Sequence, residues 1–134
     1  MNQPQKALEI LKFAKEKYPF STTIIFSLSN FYLNQKDLTN AEKIINEGLR
    51  YYPNYVHILP RAIKLYALKN DLPNLAKYEY LLGLRTHSQD AYQKSLQLYL
   101  ILNRLDEAKK ILAKLLFIDK KNPVTLLQPC KIKH

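Results

Sequence analysis

The residue types that most often carry metal or covalent chemistry are sparse and scattered in this chain. His57 and His87 lie 30 residues apart, His134 ends the sequence, and the single cysteine is Cys130. A metal site needs several imidazole, thiolate or carboxylate ligands converging at a fixed spacing. No His-x3-His pair and no Glu-rich helix face is present. Covalent catalysis needs a Ser or Cys nucleophile beside a base, and no such arrangement is visible. One cysteine cannot form an internal disulfide or a Cys-based zinc site. The sequence therefore points away from an enzyme and gives no cofactor or metal. The chemistry that remains is recognition by charge and shape. Twenty-one Lys and Arg face 11 Asp and Glu, a formal net charge of +10. This charge reads either as a solvated, Lys-rich helical surface or as a surface for a negatively charged partner. The basic residues are spread along the whole chain with acids interleaved, which favours the first reading. Ten tyrosines occur, and Tyr51, Tyr52 and Tyr55 gather around Pro53. They read as packing at a turn with hydroxyls in water, or as an aromatic patch that meets a partner.

The elements that must position these residues can be read from a repeat. Ile25-x2-Leu28-Ser29-x2-Tyr32 is followed by Ala41-x3-Ile45 and Pro53. Leu59-x2-Ala62-Ile63-x2-Tyr66 is followed by Ala76-x3-Tyr80. Tyr92-x2-Ser95-Leu96-x2-Tyr99 is followed by Ala108-x3-Leu112. Tyr32, Tyr66 and Tyr99 are 34 and then 33 residues apart. A fixed period of this length marks a stack of similar supersecondary units. Apolar spacing, caps and prolines predict helices at about 4–18, 22–35, 40–51, 56–69, 73–86, 89–102 and 106–120. Thr39-x-x-Glu42 reads as a capping box, and Asp106 as an N-cap. Pro73 suits a first turn, whereas Pro60 should delay or bend its helix. Links of three to five residues force consecutive helices to pack antiparallel. Apolar residues make up 47% of the chain and only Gly48 and Gly83 are glycines, which excludes disorder, Gly-rich phosphate loops and β sandwiches. Residues 1–20 lack the form of a signal peptide, and no stretch is apolar enough to span a membrane, so the cytoplasm is the default compartment.

These residues are where the chain resembles the tetratricopeptide repeat (TPR) family. That signature has a large apolar residue, Leu-Gly and Tyr in a first helix, then Ala, an aromatic and a closing Pro in a second. Residues 22–53 match through Ile25, Leu28, Tyr32, Ala41, Ile45, Gly48 and Pro53. Residues 56–88 match less well and carry one extra residue. Residues 89–121 match through Tyr99, Ala108 and Leu112 but lack the closing Pro. The departures are Ser29, Ile63 and Leu96 in place of Gly, and the absence of Trp. Half-a-TPR and Sel1-like repeats are neighbouring families, and two glycines argue against the Gly-rich Sel1 type.

The resemblance implies an all-α fold, an α-α superhelix (solenoid) of antiparallel helical hairpins. Its domain would run 1–121, with 4–20 as a partial repeat or cap and repeats at 22–54, 56–88 and 89–121. Residues 122–134 would be a tail or the start of a further helix. In this reading Ala7, Ala41, Ala76 and Ala108 sit where paired helices approach closely, and Tyr32, Tyr66 and Tyr99 fill the space between hairpins. The opening helix is either an end cap, which should have a polar outer face, or part of a longer array.

The family resemblance also implies function: a protein-interaction scaffold whose first helices line a concave groove for a partner segment. The groove residues would be Phe26, Asn30 and Asn34, then His57, Arg61, Lys64 and Leu68, then Asp90, Gln93, Lys94, Gln97 and Ile101. Arg61 and Lys64 would favour an acidic or amide-rich peptide. A two-carboxylate clamp fits poorly, because Phe26 and Gln93 stand where polar or basic partners are wanted. Self-association through exposed end helices is a further expectation. The alternative is an RNA-associated helical repeat using the basic surface, although the basic residues do not fall at one place in each repeat as a base-reading code needs.

Overall fold

The computed structural model describes residues 3–121, with side chains through Asp119. The expected further apolar group Val124, Leu126 and Leu127, with Cys130 and the basic tail, lies outside the described residues. The chain is all-α: α1 (Gln3–Lys17), α2 (Thr22–Asn34), α3 (Leu38–Tyr51), a 3-10 turn (Val56–Ile58) leading into α4 (Leu59–Leu68), α5 (Leu72–Thr86), α6 (Gln89–Ile101) and α7 (Leu105–Lys121). All seven expected helices are present, and no strand occurs among the described residues. Pro60 acts as expected. The chain makes a 3-10 turn before it, and α4 then starts with Pro60 in its first turn, where a missing N–H leaves no bond unmade.

Two caps differ from expectation. The cap of α3 is Asp37, whose carboxylate accepts from the Asn40 backbone N–H at 3.3 Å and from Asn40 Nδ2 at 2.7 Å. Asp37 lies at the N-cap and Thr39 is already the second residue of the helix, so Thr39 forms no capping box. Glu42 is instead drawn to α4, accepting from Tyr66 Oη at 3.1 Å and Lys69 Nζ at 2.6 Å. Asp106 likewise falls inside α7, in its first turn, where its charge still favours the helix dipole. The caps not foreseen are Ser21 and Ser88, which accept from the backbone N–H of Ile24 at 3.4 Å and Ala91 at 3.2 Å.

The first helix of each repeat closes the same way. Asp37, Asp71 and Arg104 donate their backbone N–H to the carbonyls of Tyr32, Tyr66 and Tyr99 at 2.8 to 2.9 Å. Lys36, Asn70 and Asn103, the residues just before, donate to Leu33, Ala67 and Leu100 and take positive φ of 56 to 60°. This 6→1 and 5→2 pair is a Schellman motif. The repeating tyrosine thus marks the last turn of its helix as well as the packing between helices.

The chain forms two compact units that divide between Asp71 and Leu72. In the first, Ile25, Leu28 and Leu33 of α2, Ala41 and Ile45 of α3, and Ile58, Leu59, Ala62 and Leu65 around α4 are at most 3% exposed. Each fully buried Leu or Ile contributes roughly 1.5–3 kcal/mol. Helix α1 packs on α2 but buries no residue fully. Its Lys15 pairs with Glu47 of α3 at 2.5 Å. Lys6, Glu9, Lys12 and Glu16 are exposed on α1, but so are Ile10 and Phe13, so its outer face is mixed rather than polar. In the second unit α6 packs on both α5 and α7, around Ala76, Tyr92, Tyr99, Ala108, Ile111 and Leu115. Ala41, Ala76 and Ala108 are buried as expected, whereas Ala7 is only half-buried.

Both glycines permit close crossings. A Cβ on Gly83 would stand 2.7 Å from the Tyr92 ring, and one on Gly48 would stand 3.1 Å from Ile25 and Ile58. The buried serines find acceptors within the helical framework. Ser29 Oγ donates to the Ile25 carbonyl at 2.7 Å, and Ser95 Oγ donates from α6 to the Ala76 carbonyl of α5 at 2.8 Å.

Candidate partner-binding site

In the first unit the delayed start of α4 decides where Arg61 goes. Because the chain turns through Val56–Ile58 before the helix begins, Arg61 sits in the first turn of α4. Its Nη1 donates to the His57 carbonyl at 2.7 Å. Its guanidinium lies 4.2 Å from the centroid of the Phe26 ring on α2. Phe26 meets Tyr55 edge-on at 5.4 Å, and Tyr55 lies 5.3 Å from the His57 ring. The result is a cation seated on the Phe26 face, with Tyr55 beside that ring and His57 beside Tyr55.

Arg61 has no counter-charge: no carboxylate among the described residues pairs with it. Its Nε is buried without an acceptor. Burial lowers the pKa of the guanidinium below its ordinary value, yet arginine keeps its proton at any physiological pH. A half-buried cation with unused donors is an incomplete arrangement, because removing an ion from water costs several kcal/mol unless a partner compensates. The cation–π contact on Phe26 offsets part of that cost, typically about 0.5–2 kcal/mol. A carboxylate arriving from outside would supply the rest through charge-assisted bonds.

The other expected groove residues divide between the units. Asn30 and Asn34 follow Phe26 at four-residue steps on α2 and are exposed. Lys64 is exposed on α4, one turn from Arg61, and Leu68 is 38% exposed one turn further. These residues make up one face of each helix, and α2 contacts α4. In the second unit Gln93, Lys94, Gln97 and Ile101 are exposed on α6. Lys94 differs from Arg61 in already having a partner, Asp90 Oδ2 at 3.2 Å. That hydrogen bond and charge raise the Lys94 pKa, with Glu79 adding to the effect. Arg61 is therefore in direct contact with both Phe26 and His57.

Sequence reasoning missed two participants. Tyr55 was legible as one of a cluster at Pro53 but not as part of the Arg61 setting. The signal was available: Ser21 and Ser88 each stand 11 residues before their repeat tyrosine, and the equivalent position in the middle repeat is Tyr55. Glu79 of α5 is only 8% exposed. Burial raises its pKa, the nearby Lys94 charge opposes that rise, and Asp90 adds to it. The tyrosines at Pro53 are also more engaged than expected. Tyr51 meets Phe20 at 4.8 Å, and the Tyr52 hydroxyl donates to the Phe20 carbonyl.

Among the described residues no group of His, Cys, Asp and Glu could hold a metal ion, and no helix is long and apolar enough to cross a membrane. The tetratricopeptide repeat model matches residues 22–55 and 89–122, half of the chain. No curated protein matches it. The two matched stretches hold the hairpins α2–α3 and α6–α7, with the Schellman turns and serine caps described above. The chain belongs to the tetratricopeptide repeat family, whose repeats generally mediate protein–protein interaction and typically act as non-catalytic scaffolds.

Proposed function

For a chain built of tetratricopeptide repeats, we propose a protein-interaction module that holds an acidic segment of a partner protein against α2 and α4, with Arg61 as the anchor. The observation that carries this reading is the half-buried Arg61 guanidinium, stacked on Phe26 and lacking a carboxylate partner among the described residues. A Glu or Asp of the partner would take the unused N–H donors, and bidentate geometry suits the planar guanidinium. Lys64, one turn away and exposed, adds a second positive charge for a segment carrying two acids. Asn30 and Asn34 offer amide groups to the backbone of that segment.

The test is a titration with an acidic peptide at fixed ionic strength, comparing the native chain with Arg61→Ala/Lys64→Ala. Losing a charge-assisted pair at a desolvated site costs about 2–5 kcal/mol, so affinity should fall by well over tenfold. Unchanged affinity in the double variant would remove the groove from consideration.

A further inference from the structure

The second unit carries a different feature, which the groove reading does not use. Between α5 and α7, over α6, lies a cleft of about 650 Å³. Tyr92 of α6 forms its floor, with Tyr80 and Leu84 on the α5 side and Phe117 and Ile118 on the α7 side. Its rim is basic: His87 from the α5–α6 turn and Lys110 and Lys114 from α7. Among the described residues no acidic side chain lines it. Glu107, one turn before Lys110, lines a smaller adjoining cavity that shares Tyr80 and Lys110 with the cleft, and Asp119 accepts from Gln89 Nε2 at 3.1 Å. Neither Lys110 nor Lys114 is paired with a carboxylate among the described residues.

We infer that this cleft is a second docking site, and that its occupant is an amphipathic helix of a partner protein with carboxylates flanking its apolar stripe. The shape fits a helix. The lining residues of α7 run from Lys110 to Ile118, about 12 Å of axis at 1.5 Å per residue, which matches two turns of an occupant. The walls are themselves helices, so a third helix can lay its ridge between them. Ala113, exposed at the middle of the α7 wall, is small enough to allow close approach. Phe117 is 62% exposed and offers a large apolar contact, the kind of residue that dominates docking energetics. The charge selects the partner. Lys110 and Lys114 are one turn apart on α7, so they meet acids spaced one turn apart on a helix. The chain's own residues 122–134 contain no acid and do not answer that rim. A second copy, with its net charge of +10, is disfavoured by the same repulsion.

Gly83 is what keeps the cleft in shape. It lets the Tyr92 ring lie against α5, where any Cβ would stand within 2.7 Å of the ring. Tyr92 and Tyr80 then meet at 6.0 Å and a 55° tilt, forming a continuous aromatic base.

The experiment uses the full chain and a helix-stapled peptide with Leu at i, i+4 and i+7 and Glu on both flanks, beside a counterpart with Lys for Glu. Binding is followed by amide NMR shifts. The inference expects the Glu peptide to bind at least tenfold tighter than the Lys peptide, with shifts centred on Leu84, Ala113 and Phe117. Ala113→Trp should fill the cleft and abolish binding, and Lys110→Glu/Lys114→Glu should reverse the preference between the peptides. The inference is overturned if neither peptide binds or if the two bind equally. It is also overturned if the shifts centre on Phe26 and Arg61. Contacts between Phe117 and residues 124–127 in the free chain would assign the cleft to the chain itself. Self-association removed by Ala113→Trp would assign it to a second copy. The Arg61→Ala/Lys64→Ala variant should bind this peptide normally, so the fate of the groove reading is read separately.

Discussion

The repeats matched by the family model and the repeat between them use one position for different ends. In α2 and α6 the residue 11 before the repeat tyrosine is a serine, Ser21 or Ser88, and its hydroxyl caps the helix. In the middle repeat that position is Tyr55, which makes no side-chain cap and instead places its ring against Phe26 and His57. Pro60 then delays α4 so that Arg61 falls in the first turn, reaching back to the His57 carbonyl. The regular repeats give up little and stay regular. The irregular one forgoes a cap and gains a cation on an aromatic base. In a repeat protein, local departures of this kind are where individuality is built, because the repeating positions are committed to packing.

The comparison can be broken most forcefully at the glycines. Gly83→Ala would drive a Cβ into the rigid Tyr92 ring at 2.7 Å, whereas at Gly48 the neighbours at 3.1 Å are the ends of Ile25 and Ile58. Overpacking of this type costs about 1–3 kcal/mol, and Gly83→Ala should sit at the upper end with Gly48→Ala below it, measured by chemical denaturation. Next come the caps. Ser21→Ala and Ser88→Ala should each lose about 1 kcal/mol, while Tyr55→Ala should reduce binding of an acidic peptide. An equal stability loss at all three would erase the distinction between the repeats. A smaller gain is expected at the turns: Lys36 holds φ of 60° without being glycine, so Lys36→Gly should stabilise by about 0.5–1 kcal/mol. Asn70→Gly and Asn103→Gly should gain less, since Asn tolerates that conformation better.

A second contrast concerns buried charge. Among the described residues Arg61 has no carboxylate partner, whereas Glu79 has Lys94 near it and Asp90 against it. Burial raises the Glu79 pKa, so its folded-state value exceeds the unfolded one. Below the unfolded value the group is protonated in both states and imposes no penalty. As pH rises through the folded value, stability is lost. Glu79→Gln should therefore raise the melting temperature at neutral pH, and the gain should fade as pH drops below the ordinary carboxylate range. A gain independent of pH would mean that the Glu79 carboxyl is not the cause.

Much of the fold was legible because the signals were local and repeated. Ala41, Ala76 and Ala108 at one position, the tyrosines at another, and prolines at helix starts each state a physical requirement in a single residue. The Schellman turns were less visible, since Lys36, Asn70 and Asn103 do not share a residue type although they share a conformation. Capping was misread at Thr39 because Asp37, two residues earlier, starts the helix by accepting from the Asn40 backbone N–H, and Glu42 is taken by Tyr66 and Lys69. Phe26, Arg61 and Lys64 are groove candidates through the family resemblance, at four- and three-residue steps along their helices. That Arg61 alone is desolvated and unpaired depends on Phe26 from a different helix, and such contacts leave no trace in spacing. The cleft between α5 and α7 was illegible for the same reason: it is the gap left when two helices flank a third.

The central claim, that Arg61 awaits an external carboxylate, is most directly tested at its own Nε–H. That group is buried without an acceptor, so its side-chain NMR resonance reports on the guanidinium alone. Titration with an acidic peptide should shift it in saturable fashion, and Arg61→Lys, which keeps the charge but loses the planar stack on Phe26, should weaken the same peptide by roughly tenfold or more, in line with the loss of a pair of about 1.5–3 kcal/mol. A resonance that stays fixed while the peptide binds, together with unchanged affinity in Arg61→Lys, would contradict the account.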